Sequence, residues 1–361
     1  MKYLWMTLLV FTLSTSGWAV DENQDNPDRR PFRDFRGQRG AVEQIIFSAD
    51  GKSLVSSGAD GRIYVWDVAR GELVRQIFPR ERAVDANLMT GPHSRRIDCI
   101  ALSPDGKTIA ESAVEPTLDT VVRLWNKQTG EPTAELLHGR QHVRSLAFTP
   151  DGKYLIYSVQ DPDRWAETIV FLDLKTRKKA FELSEKRLAV TNMAVSPDGK
   201  RLAASGPRRI YIWDIARKKL LHTIKAHKKV IRSIAFSPNG KLLLSGATDD
   251  TVHVWNVRTG KRTLEIKAEQ DGVLAVAFSP TGRTIASGGA NHTIKLWQPK
   301  SGKLRWRLWG HLDRVLCLAF APDGKTLASG SRDTTIALWK IVEPADEDES
   351  QPEQDDEDWK D

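Results

Sequence analysis

The sequence predicts an all-β fold, a closed ring of seven four-stranded antiparallel sheets, on three observations. A turn signal recurs seven times, as SADG, SPDG, TPDG, SPDG, SPNG, SPTG and APDG. Its glycines, Gly51, Gly106, Gly152, Gly199, Gly240, Gly282 and Gly324, are spaced 55, 46, 47, 41, 42 and 42 residues apart. Six of the seven signals are followed by an alternating apolar segment that ends in tryptophan. A fixed period of this length indicates repeated units, each too small to bury its own apolar faces.

Every unit has the same internal order. An apolar run such as VRSLAF (143–148) comes first. The turn follows, in which proline suits the second position and glycine supplies a positive φ. A second run such as KTLASG (325–330) leads to a polar turn and then to IYVW, VRLW, IYIW, VHVW, IKLW or IALW. The third unit has IVFL, with Leu172 at the tryptophan position. Turns such as ARGE, QTGE, RTGK and KSGK precede a fourth run such as ELVRQI. Four short strands separated by turn signals make one antiparallel sheet. Seven sheets stacked around an axis bury one another's faces.

Along the chain, residues 1–19 are expected to be a signal peptide. Lys2 forms a short basic region, Leu4 to Leu13 an apolar run, and Gly17 and Ala19 are small residues before a cleavage after Ala19. The run is shorter than the roughly 20 residues a membrane span needs. A secreted or periplasmic location follows as an expectation, with no transmembrane segment in the mature chain. Residues 20–30 read as a linker and 31–342 as the ring. After Trp339 no fourth run follows, so the last unit lacks its outer strand. The segment PFRDF (31–35) is expected to pair beside IALWK and supply it, leaving fewer exposed edges. Residues 343–361 read as an acidic, disordered tail with 11 acidic residues and one lysine. Residues 21–341 hold 52 Lys and Arg against 36 Asp and Glu, a net of +16.

These residues resemble the WD-repeat (G-beta-like) β-propeller family over roughly residues 31–342. The resemblance implies seven blades around a central channel. It also gives a role to two constellations that mimic a hydrolase triad: His227, Ser245, Asp249 and Trp255 in blade five, and His311, Ser329, Asp333 and Trp339 in blade seven. In the family these positions form a buried hydrogen-bond network. Elsewhere the pattern frays. Blade one keeps Ser56, Asp60 and Trp66 without the histidine; blade two has His93 and Glu111 at the serine position; blade three has lost aspartate and tryptophan.

Function is less legible. There is no HExxH, GxSxG or phosphate loop, so no catalytic, metal or cofactor site is expected. Cys99 and Cys317 have no zinc or redox spacing and are expected to be free thiols. NHT (291–293) matches a glycosylation acceptor and also fits a tight turn. Insertions at 78–96, 112–119 and 158–167 enlarge connections that, in the family, emerge on one face. They bring Arg80, Arg82, Arg95, Arg96, Arg164 and Trp165, with Arg140 and His142 nearby, toward a patch over blades two and three. Arginine and tryptophan are enriched in interface hot spots.

The first reading is therefore a monomeric protein-binding scaffold. The second is a polyanion-binding propeller on which the acidic tail competes. A third uses channel-facing inner-strand residues, Glu43, Asp98, Arg144, Thr191, Arg232, Leu274 and Leu316, as a site for a polar substrate.

Overall fold

A computed structural model describes residues 30–78, 95–115, 119–139, 141–160, 167–186 and 188–343. The signal peptide, nearly all of the linker and the acidic tail beyond 343 lie outside the described residues, as does most of the insertion at 78–96. The chain forms seven sheets of four antiparallel strands. Six are built from consecutive strands, for example Val42–Phe47, Ser53–Gly58, Ile63–Asp67 and Glu72–Ile77 in blade one. The turn glycines adopt the left-handed conformation their position requires, with φ of 69° at Gly51 and 67° at Gly324.

Blade seven closes as the sequence predicts. Its three C-terminal strands are joined by Arg33–Phe35, which runs antiparallel to Ile336–Lys340 with Arg33 opposite Leu338 and Phe35 opposite Ile336. The Phe32 N–H donates to the Leu338 carbonyl at 2.9 Å. Phe35 is buried and stacks on Trp66 of blade one, ring centroids 5.4 Å apart. The closing strand is thus held by its ladder and by its side chain.

The core is divided into seven apolar clusters, each lying between two successive blades. The cluster between blades seven and one contains Phe35, Val42, Trp66 and Leu338. The one between blades six and seven contains Leu296, Val315 and Trp339. Burying each such aliphatic or aromatic side chain stabilises by about 1.5–3 kcal/mol. No blade completes its core without a neighbour, which is why the ring must close.

One irregularity positions the channel. In five inner strands the pairing slips by one residue, between Val42 and Gln44, Ile97 and Cys99, Ile231 and Ser233, Val273 and Ala275, and Val315 and Cys317. Such a bulge leaves one residue out of the ladder and re-aims its side chain. The extra residues are Glu43, Asp98, Arg232, Leu274 and Leu316. Five of the channel-facing positions are therefore created by a repeated break in strand register.

Candidate functional site

The two triad-like constellations are closed hydrogen-bond relays. In blade seven the Trp339 indole N–H donates to Ser329 Oγ at 2.7 Å. Ser329 Oγ lies 2.7 Å from His311 Nε2, and His311 Nδ1 lies 2.9 Å from Asp333 Oδ2. With Nδ1–H donating to the carboxylate, Nε2 is bare and accepts the serine proton. Blade five repeats the chain through Trp255, Ser245, His227 and Asp249 at 2.8, 2.7 and 3.1 Å. Each aspartate also accepts a backbone N–H, from Leu312 and Lys228 respectively. Both serines are 0% exposed. A nucleophile needs access to substrate, and these have none.

Two cavities open where the connections into the inner strands meet the channel. One, about 430 Å³, is lined by the bulge residues Glu43, Arg232, Leu274 and Leu316, with Arg314, Arg332, Val230, Thr248 and Ala41 around them. The other, about 320 Å³, is lined by Arg96, Asp98, His142 and Arg144. Arg96 pairs with Asp98 at 2.9 Å. Burial pushes the Glu43 carboxyl up, against the opposing pull of Arg232, Arg96 and Arg332. Arg96 thus links the two cavities electrostatically. Five arginines and two acids line them, so the mouth is cationic. Thr191 takes no part in this lining and donates its hydroxyl to the Ser205 carbonyl at 2.9 Å.

Comparison with known families matches the first two blades in part and the last four. A model described as WD domain, G-beta repeat, matches residues 29–67 and 87–126, and one described as IFT122 first beta-propeller matches residues 189–340. The chain belongs to the WD-repeat β-propeller family. It is 25% identical to the small ribosomal subunit protein RACK1y of Oryza sativa subsp. japonica over 294 residues, 68% of this chain and 84% of that one. It is 28% identical to periodic tryptophan protein 2 of Arabidopsis thaliana over 58% of this chain and 22% of that protein. Striatin of Mus musculus is 25% identical over 62% of this chain and 29% of its own length. The propeller thus spans less than a third of these last two relatives.

The propeller places the sequence-predicted residues unevenly. Arg80, Arg82, Arg140, Arg164 and Trp165 lie outside the described residues, as does His93. Arg96 and His142 are exposed at the smaller cavity. Arg95 is mostly buried. It pairs with Glu111, lies 3.3 Å from Glu115, and donates to the Gly61 carbonyl. Arg123 extends the cluster to Glu115, at 2.5 Å, and Glu135, at 3.0 Å. Arg95 is therefore tied to two acids of blade two and to a carbonyl of blade one. Cys99 and Cys317 are free, and their thiols reach the Val143 and Val42 carbonyls of the next blade. Burial pushes both thiols up. In NHT, Asn291 Oδ1 accepts the Thr293 hydroxyl at 2.7 Å, closing a tight turn.

Three substitutes escaped the sequence reading. In blade one Gln38 Oε1 accepts from Ser56 at 3.0 Å, and Trp66 donates to Ser56 at 2.9 Å. In blade six Gln270 accepts from Ser287, and Trp297 donates to that serine at 2.8 Å. Gln38 stands 28 residues before Trp66, the spacing of the two histidines from their tryptophans, so a search by spacing finds it. In blade three Tyr157, five residues after the turn glycine, occupies the serine position. It packs in the same cluster as Leu172. Large and small have exchanged places.

Proposed function

We propose that this propeller is a protein-binding platform, exported from the cytoplasm, whose partner docks on the face bearing the channel mouth and the long connections of blades two and three. The cationic mouth carries this reading. Arg96, Arg144, Arg232, Arg314 and Arg332 converge there from four blades, and Leu312, 85% exposed, stands on the connection into blade seven. An acidic partner segment with an apolar anchor suits that chemistry. The relatives' names support association with other molecules, since they include a ribosomal subunit protein and a chicken serine-threonine kinase receptor-associated protein. The same cationic lining and the sealed serines argue for binding over catalysis.

The test is capture of a partner from a cell-envelope extract by the mature chain, followed by its identification and binding in purified form. Charge reversal at Arg96, Arg144 and Arg232 is expected to abolish binding, while reversal of Lys261 at the opposite end leaves it intact. Equal binding by the triple variant contradicts the assignment of the face. Sequencing the exported chain is expected to find Val20 first.

A further inference from the structure

At the end of the ring opposite the channel mouth, blades one to six join their third and fourth strands by a turn with one residue in the left-handed conformation. Glycine fills that place in four blades, as Gly71, Gly130, Gly260 and Gly302, with φ between 68° and 76°. In the neighbouring blades three and four it is Arg177 and Lys218, at 55° and 53°. Glycine adopts this conformation freely, and a side chain does so under strain. The turn itself does not ask for these cations. Strain kept at one position in two adjacent blades points to a use outside the turn.

The two turns form one basic surface. Lys175, Arg177, Lys178 and Lys179 stand on the first, Arg217, Lys218 and Lys219 on the second, and all are exposed. Lys218 Nζ lies 4.7 Å from the centre of the Phe181 ring of blade three, so its side chain crosses the seam between the blades. The acids beside these cations are engaged. Asp173 accepts the Thr176 N–H at 2.8 Å. Asp214 accepts the Arg217 N–H at 2.8 Å and pairs with Arg201 at 2.7 Å. Glu182 pairs with Lys179 at 2.8 Å. The other six cations of the two turns have no ion pair among the described residues. In blades one and two the same turns balance Arg70 against Glu72 and Lys127 against Glu131. Those of blades five and six are basic as well, but keep glycine at the left-handed position and simply continue the cationic arc.

The shape of this surface selects its partner. None of the large exposed apolar side chains lies on the two turns, so they lack the anchor of a protein hot spot. The cations stand on turn tips, whereas a threaded polyanion is held along a groove. Neighbouring sheets stand about 10 Å apart, so both tips meet a flat surface together.

We propose that the turns of blades three and four are a docking face for an anionic lipid surface. Clusters of about four to eight Lys and Arg bind such surfaces, each residue contributing about fivefold in affinity. The contact is electrostatic and is released by salt. It turns the channel mouth away from the lipid and does not depend on the partner face assigned there.

Cosedimentation of the mature chain with lipid vesicles tests it. Binding is expected with vesicles containing phosphatidylglycerol, and is expected to vanish with pure phosphatidylcholine and at high salt. R177G/K218G gives both turns the residue of the other blades, so it keeps the fold and is expected to weaken binding about twentyfold. K175E/K178E/K219E is expected to abolish binding. K52E/K107E/K325E, with the same change of net charge at the same end of blades one, two and seven, is expected to weaken it far less. Equal losses in the two triple variants report only net charge and overturn the face, as does full binding by R177G/K218G. Retention on heparin without binding to phosphatidylglycerol vesicles overturns the lipid assignment.

Discussion

Blades seven and two solve one problem with opposite chemistry. In blade seven a neutral serine joins an indole N–H to a histidine, and one carboxylate ends the relay at the edge of the protein. In blade two the serine position holds Glu111, and the space around it is filled by guanidinium groups from Arg95 and Arg123. The price is visible at Trp125, whose indole nitrogen is buried without a hydrogen-bond partner among the described residues. The fold accepts either arrangement because both blades still bury their apolar faces against the blade on each side. The relays decide which buried polar groups are satisfied, and hence how costly each is to break.

The largest effect is expected in blade two. Glu111→Ala removes the buried carboxylate that pairs with Arg95 and leaves the guanidinium only Glu115 and the Gly61 carbonyl, and breaking a buried pair costs up to about 3–5 kcal/mol. Urea denaturation reads this directly. A loss below 1 kcal/mol would show that the cluster is solvated and the contrast with blade seven is illusory. Ser329→Ala comes next. It leaves the Trp339 N–H and His311 Nε2 unpaired, each at about 1–3 kcal/mol. Ser245→Ala in blade five is expected to match it.

Blade three sharpens the same lesson through volume rather than charge. Tyr157→Ser opens a cavity and Leu172→Trp overfills the cluster, so each alone destabilises by at least about 1 kcal/mol. The double substitution restores the arrangement of the other blades. A double-mutant cycle is expected to give a favourable coupling of about 1 kcal/mol or more. Additive losses would refute the exchange.

The smallest difference separates blades five and seven. His253 of blade five stacks on His227 with ring centroids 4.1 Å apart, where blade seven has Ala337. Burial, His227 and Arg262 push His253 down to about 4, and burial pushes His227 down as well. A histidine depressed in the folded state takes up protons first in the unfolded chain, so its contribution is intact above the unfolded value. Stability is therefore expected to fall as pH drops from about 6.5 toward about 4. His253→Ala is expected to flatten that slope. The aspartates act lower: the hydrogen bonds that hold Asp249 and Asp333 down are lost only as pH falls below the usual carboxylate range.

The architecture was legible because it rests on period. Seven turn glycines, six tryptophans and a missing last strand determine the count of sheets and the partner of residues 31–35. Six of the seven expected channel residues, all but Thr191, were also legible, since the repeat aligns them, although the bulges that expose five of them carry no local sequence signal. The substitutes were not. Gln38 and Gln270 are hidden by looking for one residue type where geometry asks only for an acceptor at the right distance. Tyr157 is hidden because its meaning lies in Leu172, on a different strand. Arg95 looked like a surface arginine because its partners Glu111 and Glu115 meet it only across a sheet. The binding face was legible least, for loops are read by what they touch.

The central claim is that the chain's two ends share one sheet. Native-state hydrogen exchange at the Phe32 amide, bonded to the Leu338 carbonyl, tests it most directly. Exchange as slow as that of the blade-seven core amides is predicted, with both released together on unfolding. Free exchange at Phe32 while blade seven stays protected would mean that the ring closes some other way.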